Sequence, residues 1–174
     1  MININNAVQF QHLIWDRIMK SASVVVDATC GNGHDLLYLA ERAQSECHLY
    51  GIDIQEQAIS ASRELLASKK LQSNVTITFL HNSHDIALHQ EIKENTIDLI
   101  IFNLGYLPGG DHSIITRPHN TIEALNNAFP KLAKDGIITI VAYPGTPEGM
   151  EEKKALHEYI SQLDQAKYNE IGRA

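Results

Sequence analysis

Cysteine and positive charge are both scarce in this chain, and their scarcity excludes several classes of protein. Only two cysteines occur, Cys30 and Cys47, which are too few for a disulfide framework or a four-cysteine zinc site. We therefore expect a reducing compartment and no bound metal. Lysine and arginine number 14 against 21 aspartates and glutamates, and the net charge of −7 excludes a generally basic nucleic-acid binder. A nucleic-acid partner would have to meet a local basic patch.

Long hydrophobic runs and targeting signals are missing as well. No apolar run approaches the ~18 residues of a membrane span. The first twenty residues carry Asp16, Arg17 and Lys20 within an amphipathic pattern, and they lack the charged-then-apolar order of a signal peptide. We therefore expect a cytoplasmic protein with no membrane partner.

The composition does suit one compact domain. The 174 residues are close to the roughly 150 of a typical domain, and 44% of them are hydrophobic. Short β-branched runs predict five strands, over 24–28, 47–52, 75–80, 97–102 and 137–142. Apolar residues at three- and four-residue intervals predict helices, over 35–43, 55–69, 84–92, 121–132 and 148–163. This alternation predicts an α/β fold, a doubly wound, mostly parallel sheet with helices on both faces.

The single predicted domain, residues 1–174, consists of an N-terminal helix and a core that contains these elements. Residues 1–22 are predicted to form an N-terminal helix, and residues 23–174 a Rossmann-like core. Apolar residues of the helix are expected to pack in the core; these are Phe10, Leu13, Ile14, Trp15 and Ile18. Residues 168–171 are typical of a strand start, so the last strand of a seven-stranded plan is expected to be missing.

The turn after the first strand contains the first candidate binding residues. Gly31 and Gly33 lie between that strand and a helix, at the sheet edge where ligands bind and where glycine lets the backbone approach them. Asp53 ends the second strand 20 residues after Gly33, the offset at which an acidic residue meets ribose hydroxyls. The simpler alternative is that both glycines only form a tight turn and Asp53 caps the helix near Gln55.

Charge favours S-adenosylmethionine (SAM) over a dinucleotide at this turn. A dinucleotide site needs a third glycine where Leu36 stands, and its pyrophosphate would lie beside the carboxylates of Asp27 and Asp35. SAM carries an ammonium and a sulfonium, which carboxylates attract. After the third strand, Asn82, Ser83 and His84 are candidates to hydrogen-bond the adenine, or a plain helix cap.

The loop after the fourth strand is the candidate catalytic segment. It resembles the Asn-Pro-Pro-Tyr signature of amino methyltransferases, although Leu104 and Gly105 replace the prolines. In that signature an amide oxygen and a backbone carbonyl accept hydrogen bonds from the target N–H, and the aromatic ring stacks on the base. These roles would fall to Asn103 and Tyr106. The alternative is an ordinary turn.

An alkyl amine is largely charged at neutral pH and must lose a proton before it can attack a methyl group. Two side chains of the same loop, Asp111 and His112, are candidates to accept that proton. The sequence leaves the choice between them open.

Taken together, the motifs resemble a known bacterial family, labelled "putative rRNA methylase". The resemblance is carried by residues 27–35, 51–55, 82–84 and 103–112, and it covers nearly the whole chain. It implies a class I methyltransferase that uses SAM on tRNA. A family member of assigned activity methylates 5-aminomethyl-2-thiouridine at the wobble position, so the resemblance also implies the tRNA anticodon arm as partner. A homodimer is a further expectation.

The motifs assign a set of residues to the SAM site. These are Asp27, Thr29, Gly31, Asn32, Gly33, His34, Asp53, Ile54, Gln55, Asn82, Ser83, His84 and Asn103. Two other functions stay open at this point. One is a SAM-dependent methyltransferase for a small amine or another RNA, and the other is a non-catalytic SAM-binding domain.

Overall fold

Helices and strands alternate along the computed structural model, which describes residues 7–168. The five strands are β1 (Val24–Asp27), β2 (Cys47–Asp53), β3 (Val75–His81), β4 (Ile97–Leu104) and β5 (Leu132–Ala142). The α-helices are α1 (Ala7–Ile18), α2 (His34–Ala40), α3 (Glu56–Ala67), α4 (His84–Ile86), α5 (Pro118–Ala128) and α6 (Pro147–Ile160). A π-helical turn at Ala87–Glu91 continues α4, and a 3₁₀ turn at Phe129–Lys131 follows α5.

The strands form one sheet in the order β3-β2-β1-β4-β5, and every neighbouring pair is parallel. The predicted doubly wound α/β fold is confirmed. The chain moves outward from β1 to β3 and then crosses back to place β4 on the other side of β1. Ligands of such sheets bind at this reversal, beyond the carboxyl ends of the central strands.

Helices cover both faces of the sheet, and each face has its own hydrophobic layer. Trp15, Leu36 and Leu66 belong to the layer beneath α1, α2 and α3. Phe102 and Leu125 belong to the opposite layer, beneath α5 and α6. The central strands are buried on both sides, which explains why their sequences are continuous β-branched runs instead of alternating ones.

Helix α1 packs on the core through Trp15, Ile14 and Ile18, as predicted, but not through Phe10 and Leu13. Trp15 is fully buried, and its Nε1 donates a hydrogen bond to Oγ1 of Thr139 at 3.2 Å. Gln11 is also buried, whereas Phe10 is 45% exposed and Leu13 is 38% exposed. The prediction that Phe10 and Leu13 lie in the core is therefore wrong, because the indole and its hydrogen bond turn these two residues outward.

Some predicted boundaries also differ. Strand β5 begins five residues earlier than predicted, at Leu132, and its pairing with β4 shifts register between Ile97 and Leu99. The helix predicted over 121–132 accordingly ends at Ala128. The sixth strand predicted over 168–171 lies outside the described residues except for Tyr168, which is not in a strand. Within residues 7–168, no helix is both long and apolar enough to cross a bilayer.

Candidate functional site

A cavity of about 750 Å³ opens beyond the carboxyl ends of the strands. Its wall is built from the segments that follow β1 to β5 and from Val8 of α1. Most of the predicted site residues lie in this wall. They are Thr29, Gly31, Asn32, His34, Asp53, Ile54, Gln55, Asn82, Ser83, His84, Asn103 and Tyr106. The structure does not place Asp27, Gly33, Asp111 or His112 in the wall.

The turn after β1 depends on the backbone freedom of its glycines. Gly31 and Gly33 have φ angles of 49° and 83°, in the left-handed region that favours glycine. A Cβ atom on Gly33 would lie 2.8 Å from Cα of Ser62, so this glycine also allows α2 to pack closely against α3. Gly31 faces the cavity, while Gly33 supports the turn from behind.

Asp53 ties the ends of β1 and β2 together. One carboxylate oxygen accepts a hydrogen bond from the Gly31 amide at 3.0 Å, and the other accepts from the Gln55 amide at 2.9 Å. The second bond is the local turn that the simpler alternative requires, but the first reaches across to the glycine turn. Burial raises the pKa of Asp53, and these amide bonds partly offset that effect.

Asp27 lies behind the same turn and is almost completely buried. One carboxylate oxygen accepts a hydrogen bond from the Thr29 amide at 3.2 Å, and the other has no partner among residues 7–168. Burial, followed by repulsion from Asp35, raises the pKa of Asp27 well above its usual value. Carboxyl groups that repel one another are thus gathered around the turn, and a cationic ligand would relieve this repulsion.

The residues after β3 fill different places. The side chain of Asn82 donates to Glu91 at 2.8 Å and accepts from the Ser83 amide at 2.9 Å, so its polar atoms are already in local bonds. His84 is 8% exposed and packs edge-on against Phe102, with ring centroids 5.7 Å apart. Burial lowers the pKa of His84 to about 4, and its buried Nε2 has no partner within the described chain.

Asn103, near the end of β4, is held from two sides. Its backbone amide donates to Oγ1 of Thr29 at 2.7 Å, and its Nδ2 donates to Oδ2 of Asp35 at 2.8 Å. Its Oδ1 is buried and meets no hydrogen-bond donor in the part of the chain that the structure describes. A buried acceptor of this kind, on a residue in the cavity wall, is available to a ligand N–H.

The loop after Asn103 folds over the cavity mouth. Tyr106 forms an isolated antiparallel bridge with Ile115, and its ring, 43% exposed, lies 4.1 Å from the ring of His112. Asp111 is exposed and accepts a hydrogen bond from the Ser113 amide at 2.8 Å. The hydrogen bonds to Ser113 keep the pKa of Asp111 below its usual value.

Residues outside the predicted set also shape the site. Asp35 lies in the cavity wall, where it binds Asn103, and Tyr143 adds a second aromatic ring to the mouth with 51% exposure. Glu152 of α6 is buried and accepts hydrogen bonds from the hydroxyls of Thr116 and Thr121, at 2.5 and 2.7 Å. Asp35 directly follows the glycine turn after β1, and Tyr143 directly follows β5, at the sheet edge where ligands bind, but nothing local in the sequence marks Glu152 as a support of the loop.

Comparison with known proteins connects this geometry to a family. The family model described as "Putative rRNA methylase" matches residues 49–172. A chloroplastic tRNA (mnm(5)s(2)U34)-methyltransferase from Arabidopsis thaliana is 33% identical over 163 residues, which is 90% of this chain. The chain spans about 60% of the length of that relative.

Two solved structures share the fold across nearly the whole chain. An rRNA-methylase-like protein from Clostridium thermocellum has a TM-score of 0.86 and 38% identity, covering 95% of this chain and 87% of its own. A methyltransferase-like protein from Streptococcus mutans was solved in complex with S-adenosylhomocysteine (SAH). It has a TM-score of 0.79 and 31% identity, and the match covers 94% of this chain and 86% of that protein. The predicted Rossmann-like class I methyltransferase fold is confirmed, and the chain belongs to the "putative rRNA methylase" family.

Proposed function

We propose that this protein is a SAM-dependent N-methyltransferase that converts 5-aminomethyl-2-thiouridine to 5-methylaminomethyl-2-thiouridine at the wobble position of tRNA. The observation that carries the proposal is the buried Oδ1 of Asn103, an acceptor without a protein donor within residues 7–168. An amine substrate supplies the missing N–H. The name of the Arabidopsis relative, a tRNA (mnm(5)s(2)U34)-methyltransferase, supports the same substrate.

The residues of the cavity fit SAM. Its volume of about 750 Å³ lies within the roughly 300–1,000 Å³ of pockets for ligands of this size. Asp53 has lone pairs left for ribose hydroxyls, and Gly31 leaves space at the turn for the methionine part. Asn82, Ser83 and His84 would line the adenine, and the SAH bound to the Streptococcus mutans protein supports this cofactor class. SAM supplies a methyl group already activated on a sulfonium.

Carboxylates near the first turn select the charge of the ligand. Burial raises the pKa of the Cys30 thiol and of Tyr143, and the negative charges of Asp27 and of Asp35, respectively, add to that effect, so carboxyl groups cluster around the turn. A pyrophosphate would be repelled there, whereas an ammonium and a sulfonium are attracted. The same charge distribution disfavours a dinucleotide.

The end of β4 and the loop after it would hold the amine. Oδ1 of Asn103 and the Leu104 carbonyl accept hydrogen bonds from the nitrogen, which directs its lone pair toward the methyl group. Tyr106 stacks on the thiouracil ring, and Tyr143 offers a second aromatic surface at the same mouth. Asp111 or His112 would accept the proton directly or through water.

The decisive assay supplies tRNA that carries 5-aminomethyl-2-thiouridine and measures its methylated product by mass spectrometry of nucleosides. We expect Asn103→Ala and Asp111→Ala to lower turnover by about 10²-fold or more and to change SAM affinity only a few-fold. Tyr106→Ala should mainly weaken tRNA binding, by ~1–3 kcal/mol for a lost stacking contact. Asn95→Ala is the matched control, because this exposed asparagine precedes β4 at the opposite end of the sheet.

Three outcomes would contradict the proposal. Absence of product from the parent protein, with SAM bound, would favour a non-catalytic SAM-binding domain. Transfer of labelled methyl groups to a small amine or to another RNA alone would favour the other methyltransferase functions. Normal rates from both Asn103→Ala and Asp111→Ala would remove the case for this loop as the active site.

A further inference from the structure

A chain of three polar side chains connects the N-terminal helix to the amide of Asn103. Nε2 of His12, on α1, lies 3.3 Å from Oδ1 of Asp35, at the start of α2. The other oxygen of Asp35 accepts the 2.8 Å hydrogen bond from Nδ2 of Asn103. The three residues come from α1, α2 and β4, so only the folded protein brings them together.

Asp35 decides which way the asparagine amide points. An amide has an acceptor on one side and two donors on the other, whereas an ionised carboxylate is an acceptor only. The NH₂ group of Asn103 therefore turns toward Asp35, and Oδ1 is left facing away from it. The reversed amide would place two oxygens against each other and would offer a substrate amine a donor in place of an acceptor.

His12 is itself held in a defined position. Its ring stacks on Tyr38 with centroids 3.7 Å apart and an interplanar angle of 19°, and it lies 5.0 Å from the Trp15 ring. Arg42 covers the Tyr38 ring at 3.3 Å, and the Tyr38 hydroxyl donates to Asp16 at 2.8 Å. Packing between α1 and α2 thus brings the imidazole to the carboxylate.

We propose that Asp35, oriented by His12, is a positioning residue that fixes the Asn103 amide with its oxygen toward the substrate amine. The hydrogen bond from Nδ2 to a carboxylate also polarises the amide, which makes Oδ1 a stronger acceptor. The inference rests on the proposed function, since it concerns how the proposed amine site is set. It assigns a role to His12 of the N-terminal helix, which also contributes Val8 to the cavity wall.

Side-chain NMR tests the orientation without any substrate. In ¹⁵N-labelled protein, the NH₂ resonances of Asn103, identified by their loss in Asn103→Ala, should shift strongly in Asp35→Asn and less in His12→Ala. His12→Gln keeps an NH₂ donor and should remain closer to the parent. Unchanged Asn103 resonances in Asp35→Asn, in an otherwise native spectrum, would overturn the proposal. Because no methyl transfer is measured, this result is independent of the proposed function.

A double-mutant cycle tests whether Asp35 acts through Asn103. At saturating SAM and tRNA we expect Asp35→Asn to lower kcat by about 10- to 100-fold in the parent, the scale of a misplaced catalytic group. In an Asn103→Ala background the same change should lower kcat less than about twofold, because the amide it positions is gone. Equal losses in both backgrounds would show that Asp35 acts independently and would overturn the proposal. A parent protein without product would instead contradict the proposed function, and the NMR result would still decide the orientation.

Discussion

Replacing Asp27 with asparagine is expected to stabilise the unliganded protein and to weaken SAM binding. The carboxylate is 1% exposed, and one of its oxygens has no hydrogen-bond partner among the described residues. Burial and repulsion from Asp35 raise its pKa well above the usual value. The folded state therefore holds the proton more tightly than the unfolded chain does, and the ionised form opposes folding near neutral pH.

The size of the effect on stability follows from burying a carboxylate that has no partner for one of its oxygens. A buried polar group without a hydrogen bond costs about 1–3 kcal/mol, and more when it is charged. Asp27→Asn keeps the shape and removes the charge but leaves an NH₂ group without an acceptor, so we expect the free energy of unfolding to rise by ~1 kcal/mol. In a protein of this size each kcal/mol raises Tm by roughly 2–4 °C. Because Asp27 lies behind the cavity wall and would act on SAM through its charge alone, its loss should weaken SAM binding by roughly a few-fold.

Thermal melts with and without SAM, between pH 4 and pH 7.5, measure both effects. The pKa of Asp27 is raised in the folded protein. Below the pKa of the unfolded chain this carboxyl group therefore does not oppose folding, and it opposes folding increasingly as the pH rises. The advantage of Asp27→Asn should therefore be largest at pH 7.5 and shrink toward pH 4. Asp98→Asn is the matched control, since one Asp98 oxygen accepts from the Ser23 and Val24 amides at 2.7 and 3.0 Å. A Tm at or below that of the parent, or unchanged SAM affinity, would refute the reasoning.

Three further changes test supports of the site. Gly33→Ala should lower the free energy of unfolding by ~2 kcal/mol or more in urea titrations, because it adds a left-handed strain and a clash with Ser62. Glu152→Gln puts a donor against the Thr116 hydroxyl, and hydrogen exchange in the loop after β4 should become faster, whereas equal rates would contradict its supporting role. Burial lowers the pKa of His84 to about 4, so the unfolded chain takes up a proton on this ring at a higher pH than the folded protein does. The free energy of unfolding should therefore fall by ~2 kcal/mol from pH 7 to pH 4.5. The fall should be smaller in His84→Gln, and an equal fall would exclude this origin.

The strands could be predicted because each is a continuous apolar run, but their ends could not be. The first half of β5 contains Lys134, Asp135 and Gly136, which no strand pattern favours, and it forms only because irregular pairing with β4 extends it. The buried face of helix α1 could not be fully predicted either. Apolar residues occupy more than one side of this helix, so the pattern predicted both Trp15 and Phe10 in the core and did not reveal that Phe10 is exposed.

One part of the candidate site could be predicted from local motifs, whereas another part depends on contacts between residues that are distant in the sequence. Gly31 and Asp53 could be predicted because short motifs at the ends of two adjacent strands determine their meeting. The bond between Asp35 and Asn103 joins residues 68 positions apart, and the approach of His12 depends on how α1 packs. Such contacts depend on tertiary packing, which spacing in the sequence does not encode.

The hydrogen bond from the backbone amide of Asn103 to the Thr29 hydroxyl bears on how members of the family can differ from one another. It joins the backbone near the end of β4 to a side chain of the turn after β1 at 2.7 Å, and β1 and β4 are neighbouring strands. The loop that follows, up to Arg117, lies outside this hydrogen bond and can change in length or composition without moving the ends of β1 and β4 relative to each other. Members of the family can therefore differ in this segment while the spacing between the ends of β1 and β4 is kept.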